Sequence, residues 1–381
     1  MKIVIVASGY PNNMDPQWGC FEKDQASALL KMGHQVSILY VDARFRTYWR
    51  KIGYTSFTDD GLSVYGFFLL PLLWLQKISY KAQYRVSSKL FEMVFREYVK
   101  KEGIPDVIYA HFVYNMAYAA PLKTKYKIPL IGIEHWSELN KDELKPLVRY
   151  LGTIAYNNVD RLIAVSNSLR LKIKKHFGKD SIVVHNMVGE LFVNNLHRGN
   201  TSPSKTIFIS VGSLVPVKGY DILIEALAMI SGDLPKWELR LIGEGKERTR
   251  LQKMIDDLGL SGNITLYGRK NKQEIIRYLS ESSIYISSSR SENFSVSVLE
   301  ALSIGLPVVA TICGGIRECI NDQNGLLVPV EDSKALSNAL IEMARNHHKY
   351  DRKAISDECK RRFAPQVIAQ QLTDIFYEVI K

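Results

Sequence analysis

Residues 284–311 (IYISSSRSENFSVSVLEALSIGLPVVAT) restrict the fold more than any other stretch. The run Ile284-Tyr285-Ile286 has strand composition. Val296, Leu299 and Leu302 then recur at helical spacing, Gly305-Leu306-Pro307 stops that helix, and Val308-Val309-Ala310 opens a second apolar run. The unit reads strand, loop, helix, strand. Two short, continuously apolar strands joined by a helix are what a parallel sheet buried on both faces requires.

Glu292 and Glu300 stand eight positions apart inside this unit. The first falls in the loop at the strand's carboxyl end, the second nearly two turns into the helix. Between them the first helical turn leaves backbone N–H groups without intrahelical partners. Such a helix start attracts phosphate. Two carboxylates flanking a phosphate cradle fit a ligand built as sugar, diphosphate and ribose. The competing reading is a solvated loop glutamate and a surface helix glutamate, and the spacing alone leaves both open.

The same pattern recurs along the chain. Residues 2–7 form an apolar strand. A Pro-, Asn- and Gly-rich loop follows, Gly19-Cys20-Phe21 opens a helix closed by Gly33, and residues 35–41 form the next strand. This is a Rossmann-like opening. Further strands are expected at 106–110, 129–134, 161–165 and 181–184, with His111, His135 and His185 just past three of their ends. Residues 42–80 are basic, aromatic and apolar in turn and give no clear element. Residues 194–205 (NNLHRGNTSPSK) are polar and aperiodic and read as an interdomain linker. A second strand–helix series starts at 206. The last segment, 365–380, is an amphipathic helix expected to pack back onto the first domain.

We therefore expect two Rossmann-like α/β domains facing a cleft: residues 1–195, a linker at 196–205, and residues 206–364, with 365–381 returning to the first. At 381 residues the chain is long enough for two cores. Its first turn lacks G-x-G-x-x-G, which sets back a dinucleotide coenzyme and an oxidoreductase. The four cysteines show no C-x-x-C pairing, which argues against zinc and disulfides. Residues 1–7 are too short for a secretory h-region, and the apolar run 67–75 is too short to span a bilayer. A cytoplasmic protein is the expectation.

The net charge is +11, and residues 1–200 carry 27 Lys and Arg against 17 Asp and Glu. No nucleic-acid-binding motif accompanies that excess, so a phosphorylated substrate or an anionic membrane surface is the better partner. Arg44, Arg46, Tyr48, Trp49, Arg50 and Lys51, followed by the apolar run, are the candidate membrane contact. In the second half, Lys218 sits beside Gly219 at a helix start. A cation there opposes the helix dipole unless an anion lies between them. That argues for a diphosphate ligand, with a solvated loop lysine as the alternative.

These residues resemble the retaining glycosyltransferases of family 4, which have the GT-B fold. The likeness is strongest over residues 206–330. It rests on the E-x7-E element from Glu292 to Glu300, the G-x-L-x-x-x-K-G loop at 212–219, IGEGKER, and GG-x-x-E-x-I with NGLLVP behind it. In the first half GHQVSIL, PDVIYAH, IEHW, RLIAVSNSLR and VVHNMV are similar to the family's acceptor domain.

The resemblance implies that Glu292 contacts donor-sugar hydroxyls and that Glu300 accepts bonds from the ribose. Backbone N–H groups near Asn293, Phe294, Ser295 and Val296 would hold the diphosphate. Lys218 would offset its charge as it leaves. Gly19, Ser213, Gly243 and Arg269 complete the implied donor site, and His135 matches the family's acceptor-side histidine. Ser213 stands where the family often has Arg, and Asn293 and Ser295 replace two glycines. No D-x-D occurs, so neither a metal nor another cofactor is expected.

The implied reaction moves a sugar from a UDP- or GDP-sugar to a glycan or lipid-linked hydroxyl, with retention, through a same-face mechanism assisted by the leaving phosphate. A nucleotide-sugar-binding protein without catalysis is the alternative.

Overall fold

The computed structural model describes residues 1–44, 50–70, 79–195, 205–230, 232–234 and 236–380. The chain divides into two compact units, Met1–His185 with Pro365–Lys381, and Asn186–Ala364.

The first unit is built on one sheet. Its strands are β1 (Lys2–Ala7), β2 (Gln35–Asp42), β3 (Gly53–Asp59), β4 (Leu62–Phe68), β5 (Val107–His111), β6 (Leu130–Glu134), β7 (Arg161–Ala164) and β8 (Ile182–Val183). They lie in the order β3-β4-β2-β1-β5-β6-β7-β8. Only the β3–β4 pair is antiparallel. Ile3 to Ala7 and all of β5 and β6 are buried, as strands covered on both faces must be. The β3–β4 hairpin fills part of the stretch left unread in the sequence. Asp60 and Gly61 both have positive φ, 50° and 82°, which is a primed turn matched to the strands' twist.

The C-terminal helix Pro365–Ile380 belongs to this unit. Phe376 is fully buried with its ring 5.1 Å from that of Tyr109, and His34 Nε2 lies 2.9 Å from Thr373 Oγ1.

The second unit has the all-parallel strands β9 (Thr206–Val211), β10 (Trp237–Ile242), β11 (Ile264–Gly268), β12 (Ile284–Ser287), β13 (Val308–Thr311) and β14 (Gly325–Val328). Their order is β11-β10-β9-β12-β13-β14. A core of Phe208, Leu223, Ile224, Leu239, Ile284 and Val309 packs the helix Tyr220–Ile230 and its neighbours onto the sheet.

The units part at His185 and Asn186, ten residues before the boundary expected at 195. Residues 186–195 join the second unit for a local reason. The Val188 N–H donates to Phe363 O at 2.9 Å, and Asn186 Nδ2 donates to Phe294 O at 2.9 Å. Residues 196–204 of the expected linker lie outside the described residues. The strand order reverses between β1 and β5 in the first sheet and between β9 and β12 in the second. Loops leaving the carboxyl ends of those strand pairs are where open α/β sheets collect ligands.

Candidate donor site

The reversal between β9 and β12 brings two loops together: 212–219 after β9 and 288–295 after β12. Lys218 Nζ donates to Glu292 Oε1 at 2.5 Å, and Ser289 Oγ donates to the same oxygen at 2.9 Å. Both partners of the ion pair are half-buried, 23% and 18% exposed. Burial pulls the Lys218 ammonium down, but the Glu292 carboxylate outweighs it, so the net shift is upward. The Cys313 thiol sits within the same field. Its pKa is pushed up to about 11, by burial first and by Glu292 second.

Two glycines let the backbones close in. Gly219 has φ 62°, and a Cβ on it would lie 2.1 Å from Ser288 O. Gly314 has φ 55°, and its Cβ would lie 1.7 Å from Glu292 O. The Gly315 N–H donates to Asn293 O at 2.9 Å, so the Gly314-Gly315 turn forms the floor under the Glu292 loop.

Arg290 ties the rest down, and the sequence reading missed it. Its guanidinium reaches Asp221 Oδ1 at 2.9 Å, Pro216 O at 2.6 Å and Glu331, and its backbone N–H donates to Val217 O. The signal was one arginine facing a carboxylate 69 positions away. No local pattern carries that.

Ser295 caps the helix Val296–Ile304, with its φ −76° and ψ 111° outside the helical range and no side-chain cap bond. The first-turn N–H groups are therefore not closed by the cap's hydroxyl, which lies 3.2 Å from Ser297 Oγ. Asn293, Phe294 and Ser295 are buried. Phe294 uses its carbonyl to hold Asn186 and its ring to meet Phe363 at 5.6 Å. Glu300 lies on the half-buried face of the helix, and its charge reaches the buried Tyr285 hydroxyl.

Of the remaining expected donor residues, Gly243 leaves β10, and its Cα faces Gly212 O so closely that a Cβ would lie 1.9 Å away. Ser213 is exposed on the β9 loop, and Arg269 is exposed just past β11. Arg269 is thus two strands from β9, at the far side of the same edge.

Gly19 and His135 belong to the first unit. The space beside Gly19 is taken by its own loop, since a Cβ would lie 2.3 Å from Gly9 O. Its φ of 77° starts the helix Cys20–Lys31. His135 follows β6 with its ring stacked on His111, centroids 5.3 Å apart at 12°. His111 is held neutral by burial. Behind His135, the fully buried Glu134 accepts from the His135 N–H at 2.9 Å, the Trp136 N–H at 2.8 Å and Tyr156 Oη at 2.8 Å.

Of the candidate membrane contact, only Arg44, Arg50 and Lys51 and the residues up to Leu70 fall among the described residues. Arg44 pairs with the buried Asp42 through two bonds of 3.0 and 2.9 Å and covers the Trp18 ring. Arg50 reaches Asp42 at 2.6 Å and covers Phe68. These two charges are turned inward. Arg46, Tyr48, Trp49 and the apolar residues 71–75 lie outside the described residues. Among the described residues no helix is long and apolar enough to cross a membrane.

Both units are similar to known proteins. Residues 193–360 match the model for glycosyl transferases group 1, and residues 23–189 match that for glycosyltransferase family 4. An uncharacterized glycosyltransferase of Methanocaldococcus jannaschii is 31% identical over 252 residues, covering 65% of this chain and 68% of that one. The chain belongs to glycosyltransferase family 4. Among other relatives, the lipopolysaccharide core biosynthesis glycosyltransferase LpsE of Rhizobium meliloti is 26% identical over 229 residues, 59% of this chain and 65% of its own. The solved structure of HepE from Anabaena, in complex with UDP and glucose, superposes with a TM-score of 0.74 at 19% identity, covering 99% of this chain and 100% of that one. The fold of this family 4 enzyme is GT-B, with two parallel-sheet α/β domains.

Proposed function

We propose that the enzyme is a retaining glycosyltransferase that takes a nucleoside-diphosphate-sugar, a UDP- or GDP-sugar, and glycosylates a hydroxyl of a glycan or lipid-linked acceptor in surface-polysaccharide or lipopolysaccharide assembly. The observation that carries it is the Lys218–Glu292 pair beside the start of helix Val296–Ile304. The HepE complex with UDP and glucose supports the donor class, and the role named for LpsE supports the process.

On this reading the helix N-terminus and the Lys218 ammonium supply positive charge where the diphosphate leaves, with no metal required. Glu292 orients the sugar, and Glu300 accepts from the ribose. The bond from the anomeric carbon to the phosphate oxygen breaks as the acceptor oxygen bonds on the same face, and the departing phosphate oxygen takes the acceptor's proton. Family membership favours this over a non-catalytic sugar-nucleotide binder. Work at the inner membrane face would suit a lipid-linked acceptor, and liposome flotation tests that part.

The deciding experiment has two steps. UDP- and GDP-sugars are screened for the one that raises the melting temperature most. Glu292→Gln, Lys218→Ala and His135→Ala are then assayed on that donor. Each should lower turnover at least roughly tenfold, the effect of about 1.4 kcal/mol. Near wild-type turnover in all three sinks the assignment.

A further inference from the structure

The first unit carries a strained and aromatic corner that the donor chemistry leaves unused. Phe112 follows β5, on the strand beside the β1–β5 reversal. Its φ is 67° and its ψ 149°. That backbone region is essentially reserved for glycine, and bulky residues found there cluster at ligand sites. The chain nevertheless places a half-buried phenylalanine at this point.

Its surroundings are rings. Phe112 lies parallel to Tyr114, centroids 5.7 Å apart at 6°, and 5.3 Å from the His135 ring. Tyr114 meets Trp136 edge-on at 5.8 Å. Each ring is fixed by its own backbone or hydroxyl. The Phe112 N–H donates to Ile133 O at 2.9 Å, Tyr114 Oη lies 2.9 Å from Ser8 Oγ, and the Trp136 N–H is held by Glu134. Phe112, Tyr114, His135 and Trp136 all remain partly exposed.

We propose that Phe112, Tyr114 and Trp136 form a preorganised platform on which the pyranose ring of the acceptor stacks. This rests on the transferase reading given above. The occupant follows from the chemistry of the lining. A pyranose has an apolar C–H face that suits an aromatic ring, and hydroxyls at its rim that suit the Tyr114 hydroxyl. A phosphate or carboxylate would instead require cations, which these rings do not supply. Fixing the rings in advance removes the ordering cost from binding, and that is the use of a strained turn at Phe112.

Two substitutions separate the strain from the ring. Phe112→Gly removes both, while Phe112→Ala removes the ring and keeps a Cβ in the glycine-only conformation. Binding of methyl α- and β-pyranosides of glucose, galactose and mannose is measured by saturation-transfer NMR, beside melting temperatures. Both variants should bind at least tenfold more weakly than wild type. Phe112→Gly should melt at or above wild type, and Phe112→Ala below Phe112→Gly. Wild type that binds none of the pyranosides, or variants that bind them as wild type does, overturn the platform. So does a Phe112→Gly protein that melts as low as Phe112→Ala, since the ring is then core packing. Hydrolysis of UDP- and GDP-sugars by wild type is followed in parallel. Its absence beside Phe112-dependent pyranoside binding removes the transferase reading and leaves the platform.

Discussion

Replacing Gly314 by alanine would disturb the donor loop without touching any chemical group in it. Two costs add. The residue has φ 55°, a conformation that costs an L side chain roughly 1–2 kcal/mol. Its new Cβ would lie 1.7 Å from Glu292 O and 2.6 Å from Glu292 C. Those are backbone atoms and cannot rotate aside, so the loop must move by roughly 1 Å, and overpacking of this kind costs about 1–3 kcal/mol. The total is about 2–5 kcal/mol of stability. If Glu292 orients the donor sugar as proposed, a displacement of that size costs on the order of a hundredfold in rate. Urea unfolding and turnover on the donor found by screening would be measured together. Two other glycines calibrate the result. Gly259 has φ 69° with no atom within 4 Å of its would-be Cβ, so Gly259→Ala shows the backbone cost alone. Gly262 has neither feature, and Gly262→Ala should stay within about 0.5 kcal/mol of wild type. If Gly314→Ala matches Gly259→Ala in both stability and turnover, the Glu292 loop does not rest on the Gly314 turn and the reasoning fails.

Two further outcomes follow from buried charge. Burial outweighs the hydrogen bonds made by Glu134 and pushes its pKa up to about 7. The folded state then holds a proton that the unfolded chain releases near pH 4.5, so this stabilisation is full below that pH and is lost as pH rises to about 7. It amounts to about 3 kcal/mol. Urea unfolding of wild type at pH 5 and pH 8 should show most of that loss, and Glu134→Gln should remove it; an unchanged slope in the variant would assign the pH dependence elsewhere. At the donor site, Glu292→Gln removes the carboxylate that holds Lys218 Nζ at 2.5 Å. UDP, which lacks the sugar, should then bind up to about tenfold more tightly, about 1.4 kcal/mol by calorimetry, while turnover of the full donor falls; weaker UDP binding would mean that the carboxylate does not compete for the ammonium.

What the sequence made legible divides along physical lines. In the second unit β12 and β13 were readable because a parallel strand covered on both faces is a continuous apolar run. The hairpin Gly53–Phe68 went unread although Asp60-Gly61 marks its turn, because β3 is exposed along nearly its whole length and so carries no alternation. The helix Val113–Tyr126 was missed because most of its residues are buried, leaving little polar face to set its period, and because Pro121 lies inside it. The helix Arg352–Phe363 was missed for the opposite reason, a charged sequence with few apolar positions. In the site, the loops could be read but not their bonds. Arg290 acts through Asp221 and Glu331, partners that only the fold brings within reach.

Lys218 has an internal partner that its sequence neighbourhood does not show. From the sequence, a cation beside a helix start needs an anion to explain it, and a diphosphate was the candidate. The fold supplies an anion from within, Glu292, so the position of Lys218 is explained with no ligand at all. The pull of the helix start on phosphate is unaffected, since Ser295 offers it no side-chain cap. A diphosphate arriving there must therefore share or take the ammonium from Glu292. The exchange would free the carboxylate beside the position where the sugar follows. On this account Glu292 and Lys218 are one coupled unit, and the two residues cannot be assigned independent contributions to donor binding.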